Sequence, residues 1–155
     1  MYDASRHHRQ SIRLPGFDYS SPGHYFITVC SLGRNPVLGS IRDGMAQPSA
    51  AGLMVTSWWH ALPDKFRNVE PGEFVVMPDH FHGLIELTDG AGQAAPALSA
   101  VMQWFKTMTT NAHLRTGGGK LWQRGYFECI IRDAWHLHHV TRYIRQNPVR
   151  WIPTP

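Results

Sequence analysis

The sequence predicts an α+β fold of the ferredoxin-like type, a split β-α-β-β-α-β antiparallel sheet with an additional C-terminal helix. Three observations support this prediction. Four runs rich in aromatic and β-branched residues have the character of strands. Two stretches between them repeat apolar residues every three or four positions, as amphipathic helices do, and a third such stretch follows the last strand. In this topology the first and third strands lie at the centre of the sheet.

The predicted strands are His24–Ser31, Glu73–Met77, His80–Leu87 and a segment within Leu121–Arg132. The second and third strands are joined at Pro78-Asp79, where a proline in the second turn position favours a type I turn. Two-residue hairpins prefer the primed turn types, so a bulge or a wider loop is the alternative. The glycines and prolines of residues 33–49 predict an irregular, hairpin-like excursion with Val37-Leu38 as a short strand.

The three predicted helices are bounded by residues typical of helix ends. The first covers Ala50–Leu62 and stops before a proline, which cannot continue the backbone hydrogen bonds. The second covers residues 98–112 and ends before a run of three glycines. The third covers Ala134–Asn147, with Asp133 as its N-cap and Pro148 closing it.

Length and composition fit one globular domain, predicted over residues 23–155, after a basic N-terminal extension at residues 1–22. The formal net charge is +4 and the pI is near 9.4, which suits a nucleic-acid partner without requiring one. No apolar run approaches the ~20 residues that cross a membrane. The two cysteines, Cys30 and Cys129, lack metal-binding spacing. We therefore expect a cytoplasmic protein with reduced thiols, associated with the nucleoid when bound to DNA.

Two histidines open the third predicted strand with one residue between them. Because side chains alternate faces along a strand, His80 and His82 point the same way and Phe81 points the other. Two adjacent imidazoles can share one metal ion, and a packed or surface-exposed pair is the alternative interpretation. The prediction is a metal site in the middle of the sheet, open to oxygen atoms of a substrate.

The last predicted helix offers the second half of a site. Tyr143 and Asn147 lie one helical turn apart, at the edge of the apolar face that packs on the sheet. A metal ion can polarise a phosphodiester and hold it in line, so that an activated phenol attacks phosphorus and a sugar hydroxyl leaves. The alternatives are that Tyr143 is an ordinary interfacial aromatic residue and that Asn147 only ends the helix.

Four segments carry a resemblance to a known family: Ser11–Tyr19, Met77–Gly83, Trp122–Glu128 with Ile130–Asp133, and Arg142–Trp151. In this order they resemble the entry segment, the His-hydrophobic-His motif, the fourth-strand signature and the nucleophile helix of single-tyrosine transposases of the insertion-sequence-200-like type. The closest resemblance is to REP-associated tyrosine transposases. Asp79 departs from the asparagine expected before the first histidine, and its negative charge either tightens metal binding or has no effect.

The resemblance implies the same fold and a metal-dependent tyrosine transposase. It implies that Tyr143 is the nucleophile, that His80 and His82 bind Mg²⁺ or Mn²⁺, and that Asn147 is the third ligand. The implied substrate is single-stranded DNA with hairpins, REP-like or at transposon ends. It would be cleaved and rejoined through a 5′-phosphotyrosine intermediate by a monomer or homodimer.

Basic and aromatic side chains along the chain are candidates for contact with DNA. The candidates are Arg13, Lys106, Arg115, Trp122, Arg124, Arg132, Arg142 and Arg145, with Trp104 as a further residue for base stacking. Three other functions remain open at this point. They are a nickase of the relaxase or replication-initiator kind, a domesticated DNA-binding module without catalysis, and a metal-storage or metal-sensing protein that uses the ten histidines.

Overall fold

A computed structural model describes residues 21–90 and 92–152 of the chain. Its strands are β1 (Gly23–Cys30), β2 (Gly39–Arg42), β3 (Met45–Pro48), β4 (Val69–Met77), β5 (His80–Leu87) and β6 (Phe127–Ile130). Its α-helices are α1 (Ala50–His60), α2 (Leu62–Lys65), α3 (Leu98–Arg115) and α4 (Ala134–Gln146). Short 3₁₀ turns cover Leu32–Arg34 and Pro148–Arg150. The predicted N-terminal extension lies almost entirely outside the described residues.

The main sheet is antiparallel, with the strand order β4-β5-β1-β6. Strands β1 and β5 are therefore central, as the ferredoxin-like arrangement requires, and the predicted fold class is confirmed. The C-terminal helix α4 follows the last strand, as expected, and contacts β4 and β5. In the part of the chain that the structure describes, no helix is both long and apolar enough to cross a membrane.

The excursion after β1 differs from its prediction. Val37 and Leu38 form no strand, because Leu38 is fully buried and its backbone bonds to the Pro78 carbonyl and the Ser49 amide. The strands come later, as the β2–β3 hairpin, and Asp43 and Gly44 form its turn with φ angles of 52° and 71°. Two positive φ angles are the signature of a type I′ turn, for which Asp-Gly is a favoured pair. The hairpin-like excursion is thus a true hairpin.

The β4–β5 turn is the tight one that the sequence predicts. Met77 pairs directly with His80, which leaves two residues in the loop. Neither Pro78 nor Asp79 has a positive φ angle, so the turn is not of a primed type and fits type I. The carbonyl of Asp79 accepts hydrogen bonds from the amide and hydroxyl of buried Ser31, at 2.9 and 3.0 Å. The end of β1 therefore holds this turn in place. The bulge lies instead between Pro71 and Phe74 of β4.

The two faces of the sheet have different roles. On one face, alternate residues of β1 and β5 join α1 and α3 in the hydrophobic core, where Trp59 packs on Phe81 with ring centroids 5.0 Å apart. A Cβ atom at Gly83 would lie 2.7 Å from the Trp59 ring, so only glycine admits that ring beside β5. The opposite face of β5 carries His80 and His82 beneath α4.

Other boundaries lie within a few residues of their predictions. Helix α1 ends at His60, and the proline that was expected to stop it lies in the first turn of α2. Strand β4 begins four residues earlier than predicted, at Val69, and α3 extends to Arg115. Both cysteines are free thiols and are half-buried.

Candidate active site

The histidine pair lies at the start of β5, on the face of the sheet away from the core. The side chains of His80 and His82 point the same way, and their ring centroids are 4.5 Å apart. Each residue is only 6 to 7% exposed. The predicted alternation is therefore present, and Phe81 between them lies in the core.

Each imidazole is oriented by a hydrogen bond at its Nδ1 atom. Asp79 Oδ1 lies 2.7 Å from Nδ1 of His80. Thr28, which is paired with His82 across β1 and β5, places its Oγ1 2.7 Å from Nδ1 of that ring. With both Nδ1 atoms protonated and donating, both Nε2 lone pairs are available to a ligand. Thr28 was not among the predicted site residues, because its role depends on cross-strand register.

Both imidazoles are held in the neutral state. Burial, followed by the charges of His80 and Arg34, lowers the pKa of His82 to about 3. Burial also lowers the pKa of His80 below its ordinary value of 6.5, although the hydrogen bond that His80 donates to Asp79 opposes this shift. A neutral imidazole is the form that binds a metal ion, so the pair needs no deprotonation near pH 7.

Helix α4 brings the tyrosine and the asparagine to this pair. The carboxylate of Asp133 caps the helix by accepting a hydrogen bond from the His136 amide at 2.7 Å, as predicted. Among the described residues, Ile144 is the fully buried side chain of α4, and Arg145 forms an ion pair with Glu73 of β4 at 3.0 Å. These contacts fix the C-terminal half of the helix over β4 and β5.

Tyr143 and Asn147 both reach the histidines from within the same chain. The Tyr143 ring centroid lies 5.5 Å from that of His82 and 6.1 Å from that of Phe26, and the residue is 44% exposed. The side chain of Asn147 lines the same cleft as that of His80. The predicted convergence of a phenol, an amide and two imidazoles is thus observed.

These four residues line one open cleft of about 410 Å³. The cleft is also lined by residues that the sequence analysis did not select: Thr28, Arg34, Arg150, Trp151 and Ile152. The Trp151 ring lies 6.0 Å from that of His80. Arg150 and Trp151 fall within the segment that resembles the nucleophile helix, so the sequence held a signal for them. For Arg34 it held none, since this residue reaches the cleft from the loop after β1.

The donor set of the cleft suits a divalent metal ion. Both rings are oriented by the partners of their Nδ1 atoms, and Asn147 lines the same cleft. No group of three His, Cys, Asp or Glu side chains is placed to hold a metal anywhere in residues 21–90 and 92–152. An ion here would therefore take two imidazoles, an amide oxygen and oxygens from substrate or water.

The predicted DNA-contacting residues fall into three groups. Exposed arginines are Arg115, Arg124, Arg132 and Arg142, and Arg124 lines a second cleft that shares Thr28 with the first. Two residues already have protein partners: Arg145 pairs with Glu73, and Lys106 donates to the carbonyls of Gln123 and Gly125 at 2.9 and 2.7 Å. Arg13 lies outside the described residues.

The two tryptophans that were candidates for base stacking lie in the hydrophobic core or pack against it. Trp122 is 2% exposed, and its indole donates to the Thr109 hydroxyl at 2.8 Å. Stacking of Trp122 on an unpaired base does not fit this burial, so the residue is not part of the DNA surface proposed below. Trp104 is half-buried between Trp58 and Phe66. The sequence pattern alone did not show which of these aromatic side chains are buried and which are exposed.

The fold is of the ferredoxin-like α+β class, and comparison with known proteins gives the family and with it the role. Residues 64–147 match the IS200-like transposase family. The chain belongs to this family, and its role is that of a transposase. It is also 33% identical over 171 residues to a protein of Haemophilus influenzae, which covers 97% of this chain and 93% of the relative. The resemblance seen in the sequence is confirmed.

Two solved structures share the fold. The first is a REP-associated tyrosine transposase bound to a REP hairpin, with a TM-score of 0.66 and 23% identity. That match covers 90% of this chain and 74% of the other. The second is a candidate transposase from Deinococcus radiodurans, with a TM-score of 0.52 and 16% identity, covering 86% of this chain and 96% of the other. At these identities the structures establish the common fold.

Proposed function

We propose that this protein cleaves and rejoins single-stranded DNA near hairpins through a 5′-phosphotyrosine intermediate, with Tyr143 as the nucleophile. One observation carries the proposal: the phenol of Tyr143 faces a buried pair of neutral imidazoles in a cleft that also holds Asn147. An aromatic residue of α4 that served only in packing would not require a neutral histidine pair and an asparagine beside it. All four groups come from one chain, which supports cleavage by a Tyr143 acting within its own subunit.

The proposed step is an in-line substitution at phosphorus. The phenolic oxygen of Tyr143 forms a bond to the phosphorus atom, and the bond from phosphorus to the 3′ oxygen of the preceding sugar breaks. The phenol loses its proton, and the departing 3′ oxygen gains one, which leaves a free 3′-hydroxyl. The phosphotyrosine retains the energy of the broken link, so a 3′-hydroxyl can reverse the step without ATP.

The histidines and the asparagine suit a divalent ion in this step. His80 and His82 would bind Mg²⁺ or Mn²⁺ through Nε2, and Asn147 through its amide oxygen. When bound, such an ion supplies Lewis-acid polarisation of the phosphate and stabilises its developing charge. The protein's own contribution is orientation, because Asp79 and Thr28 fix both rings and α4 fixes the phenol.

A DNA partner is supported by charge and by the structural relative. The chain has a formal net charge of +4, and the exposed Arg124 lies beside a cleft that meets the candidate active site at Thr28. The related transposase was solved with a REP hairpin. We infer that a single strand runs along these two clefts while a hairpin is held nearby.

A covalent-adduct assay tests the proposal. The protein is incubated with hairpin-bearing single strands and Mn²⁺, and a slower-migrating DNA–protein species is sought on a denaturing gel. We expect an adduct with the wild-type protein and none with Tyr143→Phe or in excess chelator. An undiminished adduct with Tyr143→Phe would contradict the assignment of the nucleophile.

The adduct assay, together with measurements of hairpin binding and metal binding, distinguishes the other functions. Cleaved strands that never rejoin would indicate a nickase. Hairpin binding that survives His80→Ala and chelation, without any adduct, would indicate a DNA-binding module. Several tight metal sites in calorimetric titration, with no affinity for DNA, would indicate metal storage or sensing.

A further inference from the structure

Arg34 enters the cleft from a loop with an uncommon backbone conformation. It ends the 3₁₀ turn after β1, where Gly33 and Arg34 have φ angles of 65° and 56°. Left-handed backbone is unusual for arginine, and such conformations cluster at functional sites, where the surrounding structure holds them. Here the Leu32 amide donates to the Leu121 carbonyl at 2.9 Å, which ties the loop to the rest of the fold.

The guanidinium group of Arg34 is anchored by two contacts with the protein. Its Nε atom lies 3.0 Å from Oδ2 of Asp79, and its Nη1 lies 2.9 Å from the sulfur of Cys30. These contacts occupy two of the five N–H donors of an arginine. The side chain is 40% exposed and lines the cleft, so within the described residues the other donors are available to a molecule bound there.

Asp79 connects this arginine to the histidine pair. The carboxylate is only 2% exposed, and its second oxygen lies 2.7 Å from Nδ1 of His80. A buried carboxylate therefore orients one imidazole and one guanidinium together. Because Arg34 balances the charge of Asp79, the carboxylate does not add net negative charge next to an incoming phosphate. The residue that departs from the expected asparagine thus has a defined position in the site.

We propose that Arg34 is a catalytic residue, whose guanidinium binds a non-bridging oxygen of the phosphate that Tyr143 attacks. Asp79 is then the positioning residue that aims Arg34 and His80 at the same phosphate. This inference rests on the function proposed above. A preorganised cation contributes most where charge develops in the transition state, and Arg34 is preorganised by its contacts. Arg150 also lines the cleft, but its side chain has no ion pair or hydrogen bond with any of the described residues.

The test separates contact with phosphate from support of the fold. For Arg34→Gln, Arg34→Lys and Asp79→Asn, we would measure the melting temperature, the Mn²⁺ dissociation constant and the single-turnover rate of adduct formation at saturating Mn²⁺. Arg67→Gln, at an exposed position between α2 and β4, is the matched control. Affinity for hairpin DNA is measured separately with each substitution combined with Tyr143→Phe.

The variants have different expected results. Arg34→Gln should lower the adduct rate by about 10²- to 10³-fold while changing Mn²⁺ affinity less than about threefold. Arg34→Lys keeps a positive charge beside Asp79 but loses the fork, so it should fold and retain part of the rate. Asp79→Asn should weaken Mn²⁺ binding by about 10- to 100-fold, because it no longer orients His80 as a carboxylate does. Arg67→Gln should match the wild type.

Three results would overturn the inference. An Arg34→Gln rate within threefold of wild type would remove the arginine from the chemistry. A rate loss that only follows a loss of Mn²⁺ affinity or of melting temperature would make Arg34 a structural partner of Asp79. If Arg34→Gln does not fold, an Arg34→Lys rate equal to wild type has the same meaning. A wild-type protein that forms no adduct would instead overturn the proposed function together with this role.

Discussion

Acidification should destabilise the metal-free protein through His82. Its pKa is about 3 in the folded protein and 6.5 ordinarily, because folding buries the ring. Between these values the unfolded chain binds a proton that the folded protein does not bind. Stability is therefore greatest above pH 6.5 and falls as the pH falls towards 3. The loss is about 1.4 kcal/mol per pH unit, or about 2.7 kcal/mol at pH 4.5, and His80 adds to it in the same direction.

The measurement is the free energy of unfolding by urea, in the presence of chelator, at several pH values between 7.5 and 4.5. His82→Asn removes the titrating ring, so the difference in stability between wild type and variant should shrink steadily as the pH falls. His138→Asn, at an exposed position of α4, is the matched control and should follow the wild type. A constant difference between wild type and His82→Asn across this range would refute the reasoning, because burial would then not determine the charge of His82.

Three further predictions concern packing and capping, and all are measured by urea unfolding. Gly83→Ala should lower stability by about 1–3 kcal/mol, because its methyl group meets the Trp59 ring, whereas Gly119→Ala, with open space around it, should change little. Asp133→Ala should cost about 1 kcal/mol through loss of the α4 cap, and equal stability would show that the cap hydrogen bond is not formed. Trp122→Phe should cost about 1–3 kcal/mol and leave hairpin affinity unchanged; reduced affinity without loss of stability would return this residue to the DNA surface.

The features that sequence reasoning predicted well are local. The alternation of His80 and His82, the cap at Asp133 and the one-turn spacing of Tyr143 and Asn147 each depend on a few neighbouring residues, and all are present in the structure. The strand order followed from the sequence of elements. The turn at Asp43 could also have been predicted from the sequence, because Asp-Gly is a strong hairpin signal.

The features that were missed depend on distant contacts. Thr28 and His82 are 54 residues apart in the sequence, and Thr28 orients His82 because the register of β1 and β5 pairs these two residues. Arg34 contacts Asp79 because its loop has a left-handed backbone conformation, which the local sequence does not predict. Trp122 was interpreted as a stacking residue, although it is buried in the core and its indole donates a hydrogen bond to Thr109 of α3. A period of three or four residues shows which side chains share a face, but not which faces another element covers.

Strand β5 places the candidate chemistry and the hydrophobic core on adjacent residues. Phe81 is fully buried against aromatic rings of α1 and α3, while its two neighbours in the chain face the cleft. A shift of β5 by one residue in its register would place Phe81 beside Tyr143 and both imidazoles in the hydrophobic core. The packing of the hydrophobic core therefore also keeps the imidazoles on the face of the sheet that lines the cleft. The imidazoles therefore cannot leave the cleft face of β5 unless the hydrophobic core unfolds.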